Sequence, residues 1–122
     1  MILLGVSRED GPEDAARLAA KIAGMRIFQD DQDKMNLSVR DIGGQALVVS
    51  QFTLLADTSR GNRPGFSPAA PPETAVPLYR EFVSRLEKEL GRPVPTGEFG
   101  ASMEVELVNQ GPVTILLDTR QP

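Results

Sequence analysis

Apolar residues recur along the chain at helical spacing in two places. A first helix is predicted to begin near Asp10 or Gly11, with Pro12 in its first turn, and to end at Gly24. The longest helix is predicted over residues 73–90, where apolar positions step by three and four. Glycine and proline follow directly after that segment and end the helix.

Apolar runs and alternating patterns predict the strands. They cover residues 1–6, 25–28, 45–55, 103–108 and 113–117. A long loop rich in proline and glycine, residues 57–72, is of the functional or mobile kind. We therefore expect one α/β domain over residues 1–122, with mixed β-sheets and helices packed on one side.

Three aspartates lie close together at Asp30, Asp31 and Asp33. A calcium loop of the EF-hand type needs glycine at its sixth position and glutamate at its twelfth. Counting from Asp31, those positions hold Asn36 and Ile42. The segment is therefore predicted to be a solvated acidic turn, and no metal or other cofactor is expected.

The composition limits the chemistry. The chain has neither cysteine nor histidine, which excludes disulfides, thiol catalysis, Cys/His zinc sites and Ser-His-Asp triads. Its net charge of −4 does not attract nucleic acid as a whole, so any RNA contact needs a local basic patch. No apolar run is long enough to span a membrane and no signal-peptide pattern opens the chain, so we expect a cytosolic protein.

The Ser50-Gln51-Phe52-Thr53 segment places two hydroxyls and an amide at the end of the otherwise apolar strand 45–55. In a strand, Gln51 and Thr53 point to one face and Ser50 and Phe52 to the other. Polar groups in so apolar a run need partners or a ligand. Hydroxyls bonded to a neighbouring strand would explain the segment without any ligand, so it decides nothing alone.

A second candidate segment runs from Asn109 through Gly111 and Pro112 to Thr114. A Gly-Pro pair between two strands is by default a turn, and a cis bond before proline is uncommon. This segment also decides nothing alone.

Together, the Ser-Gln-Phe-Thr segment and the later Asn-X-Gly-Pro-Val-Thr segment resemble the signature pair of the D-aminoacyl-tRNA deacylases. Three further segments resemble the family in the family's order: residues 34–39, 60–66 and 96–103. The likeness runs essentially from Met1 to Gln121. It implies a layered fold with mixed sheets, and a homodimer with active sites at the interface.

The resemblance also implies the reaction, which is hydrolysis of the ester between a D-amino acid, or mischarged glycine, and the tRNA acceptor end. Ser50, Gln51, Phe52 and Thr53 would line the adenosine and reaction pocket of one subunit. Gly111 and Pro112, joined by a cis bond beside Asn109, would enter from the other subunit and exclude L side chains. Arg60 and Arg63 could form a local basic patch, or could equally well be used in salt bridges.

The missing histidine fits this chemistry, because an aminoacyl ester is already activated and positioning can supply much of the rate. We expect water to attack, with Thr53 as a positioning group and amides near Phe52 and Thr53 as oxyanion donors. Family members usually carry an N-terminal segment that includes two more strands, and the first strand here resembles the family's third. The alternatives are a truncated, non-catalytic dimeric binding protein of the same fold, and an unrelated α/β binding domain.

Overall fold

The computed structural model of the chain describes residues 1–121. The elements follow one another as β1 (Ile2–Leu4), α1 (Pro12–Gly24), β2 (Phe28–Gln29), β3 (Met35–Leu37), β4 (Val48–Ser50), a 3₁₀ helix (Phe52–Leu55) and α2 (Pro72–Leu90). Strand β1 pairs in parallel with β4, and β2 pairs antiparallel with β3. The expected mixture of helices and small mixed sheets is confirmed.

Both helices begin and end where the sequence predicts. Helix α1 begins with Pro12 in its first turn, where a missing N–H costs nothing. Helix α2 ends at Gly91, which adopts the left-handed conformation (φ +70°) and donates its N–H to the Glu87 carbonyl at 2.8 Å. The Glu87 carboxylate then accepts the Val94 N–H at 2.9 Å, which turns the chain back toward the sheet.

The core lies between the two helices and the β1–β4 pair. Three alanines of α1 give a smooth, buried face on which α2 lies closely. The buried members of the core are Leu4, Ala15, Ala19, Ala23, Val39, Val48, Tyr79, Phe82, Leu86, Leu90 and Val94. The largest side chains among them that are fully buried are Phe82, Leu86 and Val48. Burial of such side chains is the main stabilising term of the fold.

Strand β4 is the central strand of this layer. Val48 lies between Ile2 of β1 and an isolated parallel bridge to Thr96. Its N–H donates to the Pro95 carbonyl at 3.0 Å, and its carbonyl accepts the Gly97 N–H at 2.9 Å and the Tyr79 hydroxyl at 3.1 Å. Strand β4 is therefore held by β1 on one edge, by the segment around Thr96 on the other edge, and by Tyr79 of α2.

The acidic segment is a hydrogen-bonded turn. The Asp30 carboxylate accepts the N–H groups of Gln32 and Lys34 at 2.8 and 3.0 Å, which lowers its pKa. Asp31 and Asp33 are exposed, and Asp33 adopts a left-handed conformation (φ 59°). The turn joins β2 to β3.

Four strand predictions need correction. The strand expected over 45–55 is confined to β4, because β1 offers only three paired positions, and the chain then coils into the 3₁₀ helix. The strand expected over 25–28 begins only at Phe28. The alternating segments 103–108 and 113–117 form no strand within residues 1–121, because alternation is a local property whereas a strand needs a hydrogen-bonded partner.

Large apolar side chains consequently stay exposed on segments 103–108 and 113–117. Val108 is 92% exposed and Leu116 is 85% exposed. Large exposed apolar side chains concentrated on two neighbouring segments are typical of an interaction surface.

The far end of segment 113–117 is anchored at the start of α1. Arg120 contacts the Asp10 carboxylate at 3.3 Å, that of Glu9 at 3.5 Å and that of Asp14 at 3.8 Å. Asp14 also accepts the N–H of Gly11 at 2.8 Å, as one half of a capping box. Hydrogen bonds from the Gly11 amide and the Thr119 hydroxyl, helped by Arg120, hold the pKa of Asp14 below its usual range.

We predict that Asp14→Ala lowers the free energy of unfolding by about 1 kcal/mol at pH 7, because a cap at the start of α1 is lost. A depressed pKa means that the ionised form stabilises the folded state, and this contribution is lost as pH falls through the folded-state pKa. The difference in the free energy of unfolding between Asp14→Ala and the parent protein, measured by urea titration, should therefore shrink below about pH 4. Asp31→Ala, at an exposed aspartate, is the control and should change little at either pH.

Candidate active site

The Ser50–Thr53 segment lies at the exposed end of β4. Ser50 is the last residue of the strand, and the N–H of Gln51 still donates to the Leu4 carbonyl at 2.8 Å. Phe52 and Thr53 then form the first turn of the 3₁₀ helix. The predicted alternation of faces along 50–53 is therefore wrong, because it requires a strand that has already ended.

A glycine allows this turn to lie against the end of β1. A Cβ atom at Gly5 would come 3.2 Å from the Gln51 carbonyl oxygen and 3.2 Å from Cβ of Leu54. These approaches are closer than ordinary van der Waals contact, and one of them involves backbone. The absence of a side chain at Gly5 thus sets how closely the 3₁₀ helix packs.

The Thr53 hydroxyl has a defined partner but no base. Its oxygen accepts a hydrogen bond from the side-chain amide of Gln51. Within residues 1–121, no carboxylate hydrogen-bonds to Thr53, and the chain has no histidine. A hydroxyl that receives an amide N–H is oriented, but it is not activated as a nucleophile.

The amides of Phe52 and Thr53 take no part in the strand pairing of β4. The 3₁₀ turn closes with the N–H of Leu54 on the Gln51 carbonyl at 3.2 Å. Among residues 1–121, no acceptor is found for the two preceding amides, as is usual for the first turn of a helix. They are free to bind an oxygen that carries negative charge.

Aromatic side chains surround the segment. The rings of Phe52 and Phe66 meet edge to face with their centroids 5.1 Å apart. Beneath them, Tyr79 and Phe99 form a second edge-to-face pair at 5.6 Å. Phe52 itself is 57% exposed, so much of its ring is open to solvent.

Two cavities adjoin these rings. The recess under Phe52 is small, about 70 Å³, and is lined by Leu4, Val6, Ser50, Phe52, Ala70, Ala75, Tyr79, Phe99 and Gly100. The larger cavity, about 380 Å³, lies between α2 and the 96–99 loop and is lined by Val76, Tyr79, Arg80, Val83, Ser84, Glu87, Thr96, Gly97, Glu98 and Phe99. Because ligand pockets usually measure roughly 300–1,000 Å³, the recess under Phe52 is too small for a whole ligand, whereas the larger cavity lies within that range.

Tyr79 takes part in the site as a neutral group. It lines both cavities, and its hydroxyl donates to the Val48 carbonyl at 3.1 Å. Burial raises the pKa of Tyr79 above its ordinary value. The phenol therefore stays protonated at neutral pH and cannot serve as a general base there.

The second signature segment forms an exposed turn. The Asn109 side chain accepts the Val113 N–H at 3.1 Å and donates to the Thr114 hydroxyl at 3.2 Å. The Gly111–Pro112 peptide bond is cis, as the resemblance implies. Gly111 has a φ of +128°, and a Cβ there would lie 3.0 Å from Cγ2 of Val113, so the position requires glycine.

The structure brings together only half of the predicted site within one chain. Ser50, Gln51, Phe52 and Thr53 lie together at the end of β4. Within residues 1–121, Asn109, Gly111 and Pro112 form no hydrogen bond to them and line neither cavity. No three acidic side chains of the described chain are arranged to hold a metal ion.

Sequence reasoning did not single out Phe66, Tyr79 and Phe99 as site residues. Tyr79 belongs to the helical apolar pattern of α2 and gives no separate signal. Phe66 and Phe99 are aromatic residues in loops, and both lie inside segments that resemble the family. Aromatic residues in otherwise polar, glycine-rich loops were the signal that could have identified them.

Comparison with known proteins places the chain in a family. The sequence model described as D-Tyr-tRNA(Tyr) deacylase matches residues 1–118. A D-aminoacyl-tRNA deacylase of Anaeromyxobacter dehalogenans is 60% identical over 121 residues, which cover 99% of this chain and 80% of the relative. The same-named protein of Chlorobaculum parvum is 56% identical over 119 residues, or 98% of this chain and 80% of the relative.

Solved structures agree in fold. The c-Myc DNA unwinding element binding protein superimposes with a TM-score of 0.88 at 39% identity, covering 96% of this chain and 79% of the other. A probable eukaryotic D-amino acid tRNA deacylase gives a TM-score of 0.64 at 16% identity over 81% of this chain and 72% of the other, which shows a shared fold. No helix within residues 1–121 is both long and apolar enough to cross a membrane. On the family match and the high identity to its members, this chain belongs to the D-Tyr-tRNA(Tyr) deacylase family.

Proposed function

We propose that this chain hydrolyses the ester bond of D-aminoacyl-tRNA and releases the free D-amino acid and tRNA, which makes it a proofreading hydrolase of translation. The observation that carries the proposal is the Ser50–Thr53 segment at the exposed end of β4 in a chain 56–60% identical to proteins of that name. The reaction belongs in the cytosol, where charged tRNA is used. Glycine mischarged on tRNA is a second substrate on this proposal.

Two copies of the chain build the site. The Ser50–Thr53 segment of one subunit is completed by Gly111 and Pro112 of the other. Support comes from their separation within one chain, where each half of the site is solvent-exposed. The exposed apolar side chains on segments 103–108 and 113–117 offer surface that a second copy could cover.

The Gly111–Pro112 turn sorts the enantiomers. Its two carbonyl oxygens hold the α-ammonium of the aminoacyl group and leave no room for a side chain in the L position. Glycine passes because it has no side chain to collide. Exclusion of this kind acts by steric clash rather than by better contacts to the D substrate.

The chemistry needs no side-chain base. The aminoacyl ester is activated, so water can attack the carbonyl carbon with help from the terminal ribose 2′-hydroxyl. The free amides of Phe52 and Thr53 stabilise the negative charge that develops on the carbonyl oxygen. The C–O bond to the ribose then breaks, and the ribose oxygen takes up a proton. Thr53, held by Gln51, orients the substrate.

One structural relative is named for binding a DNA unwinding element, and this chain offers less support for that role. With a net charge of −4, its overall field repels a polyanionic duplex. A single-stranded acceptor end carries fewer phosphates and can stack on the exposed ring of Phe52.

The direct test is deacylation of D-aminoacyl-tRNA by the purified chain, with the matched L-aminoacyl-tRNA as control. We expect cleavage of the D ester at least about 100-fold faster than the L ester, since a steric clash of a few kcal/mol separates the two. Equal cleavage of both enantiomers would refute the proposed discrimination. Binding without turnover of either ester would favour the non-catalytic alternative.

Thr53→Ala should retain measurable deacylation, because the hydroxyl positions substrate and does not form a covalent intermediate. We expect kcat to fall by about 10- to 100-fold, as for the loss of one orienting contact. The measurement is single-turnover deacylation with mass spectrometry of the quenched parent enzyme. An acyl adduct on Thr53 in the parent enzyme would contradict the role given to this residue.

The shared site predicts complementation between two defective variants. Thr53→Phe fills the cleft, whereas Gly111→Ala disturbs the turn that belongs to the other half of the site. If subunits exchange freely in a twofold dimer, the mixture should recover about a quarter of the parent activity. Each variant alone should be nearly inactive. Failure of the mixture to recover, with exchange verified by native mass spectrometry, would place both segments in the same subunit's site.

A further inference from the structure

Two arginines on one loop are left without ionic partners. Arg60 and Arg63 are both exposed, and within residues 1–121 neither forms a salt bridge or a side-chain hydrogen bond. Some other arginines are occupied: Arg40 pairs with Glu89 at 3.0 Å and Arg85 with Glu81 at 2.8 Å. Arg17 and Arg80 also form no salt bridge within residues 1–121, but they lie on the helices and not beside Phe52. In a chain of net charge −4, two free cations on one short loop form a local basic patch.

The loop that carries them has a closed base. Asp57 and Gly65 exchange backbone hydrogen bonds of 2.7 and 2.9 Å across an isolated antiparallel bridge. The Asp57 carboxylate accepts the Ser59 N–H at 3.0 Å, and hydrogen bonding to Ser59 lowers its pKa. The acid nearest to the arginines along the chain is therefore used by the loop backbone. Gly61, at φ +59°, completes the reversal of the chain.

This base fixes the loop beside the proposed reaction cleft from both sides. Asp57 follows the 3₁₀ helix of Phe52 and Thr53 after a single intervening residue. On the other side of the bridge, Phe66 follows Gly65 directly, and its ring rests on Phe52 at 5.1 Å. Residues 58–64 thus project from the same surface on which the terminal base would stack.

We propose that Arg60 and Arg63 bind backbone phosphates of the single-stranded tRNA acceptor end, next to the terminal nucleoside placed over Phe52. The guanidinium fork matches phosphate oxygens and keeps its charge at all relevant pH values. Unpaired, exposed arginines pay no cost of breaking an existing ion pair when they bind. The assignment rests on the proposed function for the identity of the RNA, and it explains how an acidic protein binds a polyanion.

The test compares two substrates that differ in their phosphates. One is D-aminoacyl-tRNA, and the other is 3′-D-aminoacyl-adenosine, which has the ester and the base but no phosphate. For Arg60→Gln/Arg63→Gln, kcat/KM on the tRNA should fall by about tenfold or more at low salt, mostly through KM. The slope of log kcat/KM for the tRNA against log salt concentration should become shallower by about 1.4, since each single-strand phosphate contact contributes roughly 0.7 to that slope. Cleavage of the adenosine ester should stay within about twofold of the parent.

A matched control removes the same amount of charge elsewhere. Arg17→Gln/Lys21→Gln removes two cations from the exposed side of α1. This variant should leave kcat/KM nearly unchanged for both substrates. If kcat/KM on the tRNA falls equally in the control and in the loop variant, overall charge matters rather than the loop, and the proposal is overturned. A parallel loss on the adenosine ester would also overturn it, because the loop would then support the cleft itself.

Direct binding separates this proposal from the proposed reaction. A fluorescent single-stranded RNA with the acceptor-end sequence is titrated against the parent and both double variants by anisotropy. If the parent hydrolyses neither substrate but binds this RNA, and only Arg60→Gln/Arg63→Gln weakens binding, the phosphate role stands while the proposed reaction fails. Two results would overturn the phosphate role: the parent protein does not bind this RNA, or Arg60→Gln/Arg63→Gln binds it as tightly as the parent does.

Discussion

The backbone of Val48 is the point on which the rest of the structure depends. This fully buried residue lies opposite Ile2 of the first strand. Its main-chain N–H and carbonyl bond to Pro95 and Gly97, and the carbonyl also accepts the Tyr79 hydroxyl of α2. A buried carbonyl costs free energy unless it is hydrogen-bonded, and here it accepts two hydrogen bonds. Two residues further on, the strand ends at Ser50, so the same bonds that satisfy the core also fix where the Ser50–Thr53 segment begins.

The candidate site groups lie in the turn and loops that follow β4. The Gln51–Thr53 hydrogen bond, the unpaired amides of the 3₁₀ turn and the Phe52–Phe66 contact all lie at one end of β4. None of these groups is a strong acid or base. The arrangement suits a reaction in which an activated ester has to be held and its developing charge stabilised, rather than one in which a proton must be abstracted by a side chain.

The other signature segment has a different physical character. Asn109 braces a turn whose surroundings are solvent and whose flanking segments expose large apolar side chains. In a monomer such surface is unfavourable, since apolar area in water is the main source of association between chains. A turn that is internally rigid but lacks contacts with its own chain's cleft is suited to reach into another copy. This property connects the apolar surface, the glycine requirement at Gly111 and the proposed stereochemical role in one argument.

Local rules predicted the helices well. Acids and proline at the start of α1, and glycine after Leu90, act through bonds within a few residues, so they can be read from sequence. The family likeness was readable for a similar reason, because short ordered motifs retain their identity without knowledge of the fold. The strands were harder: the run 45–55 looks like one strand, but only Val48–Ser50 finds a partner, and the alternating segments 103–108 and 113–117 find none within residues 1–121.

The sequence by itself thus determined the helices, the long loop, the absence of histidine and thiol chemistry, and the two motifs. Tertiary structure alone decided that Phe66, Tyr79 and Phe99 gather around Ser50 and Phe52, and that Thr53 meets Gln51 in a 3₁₀ turn. It also decided that Arg60 and Arg63 form no salt bridge within residues 1–121. The physical reason is the distance along the chain over which each kind of interaction acts. Caps, turns and periodicity act between residues close along the chain, whereas strand pairing, ring stacking and ion pairing depend on which distant residues the packed core brings together.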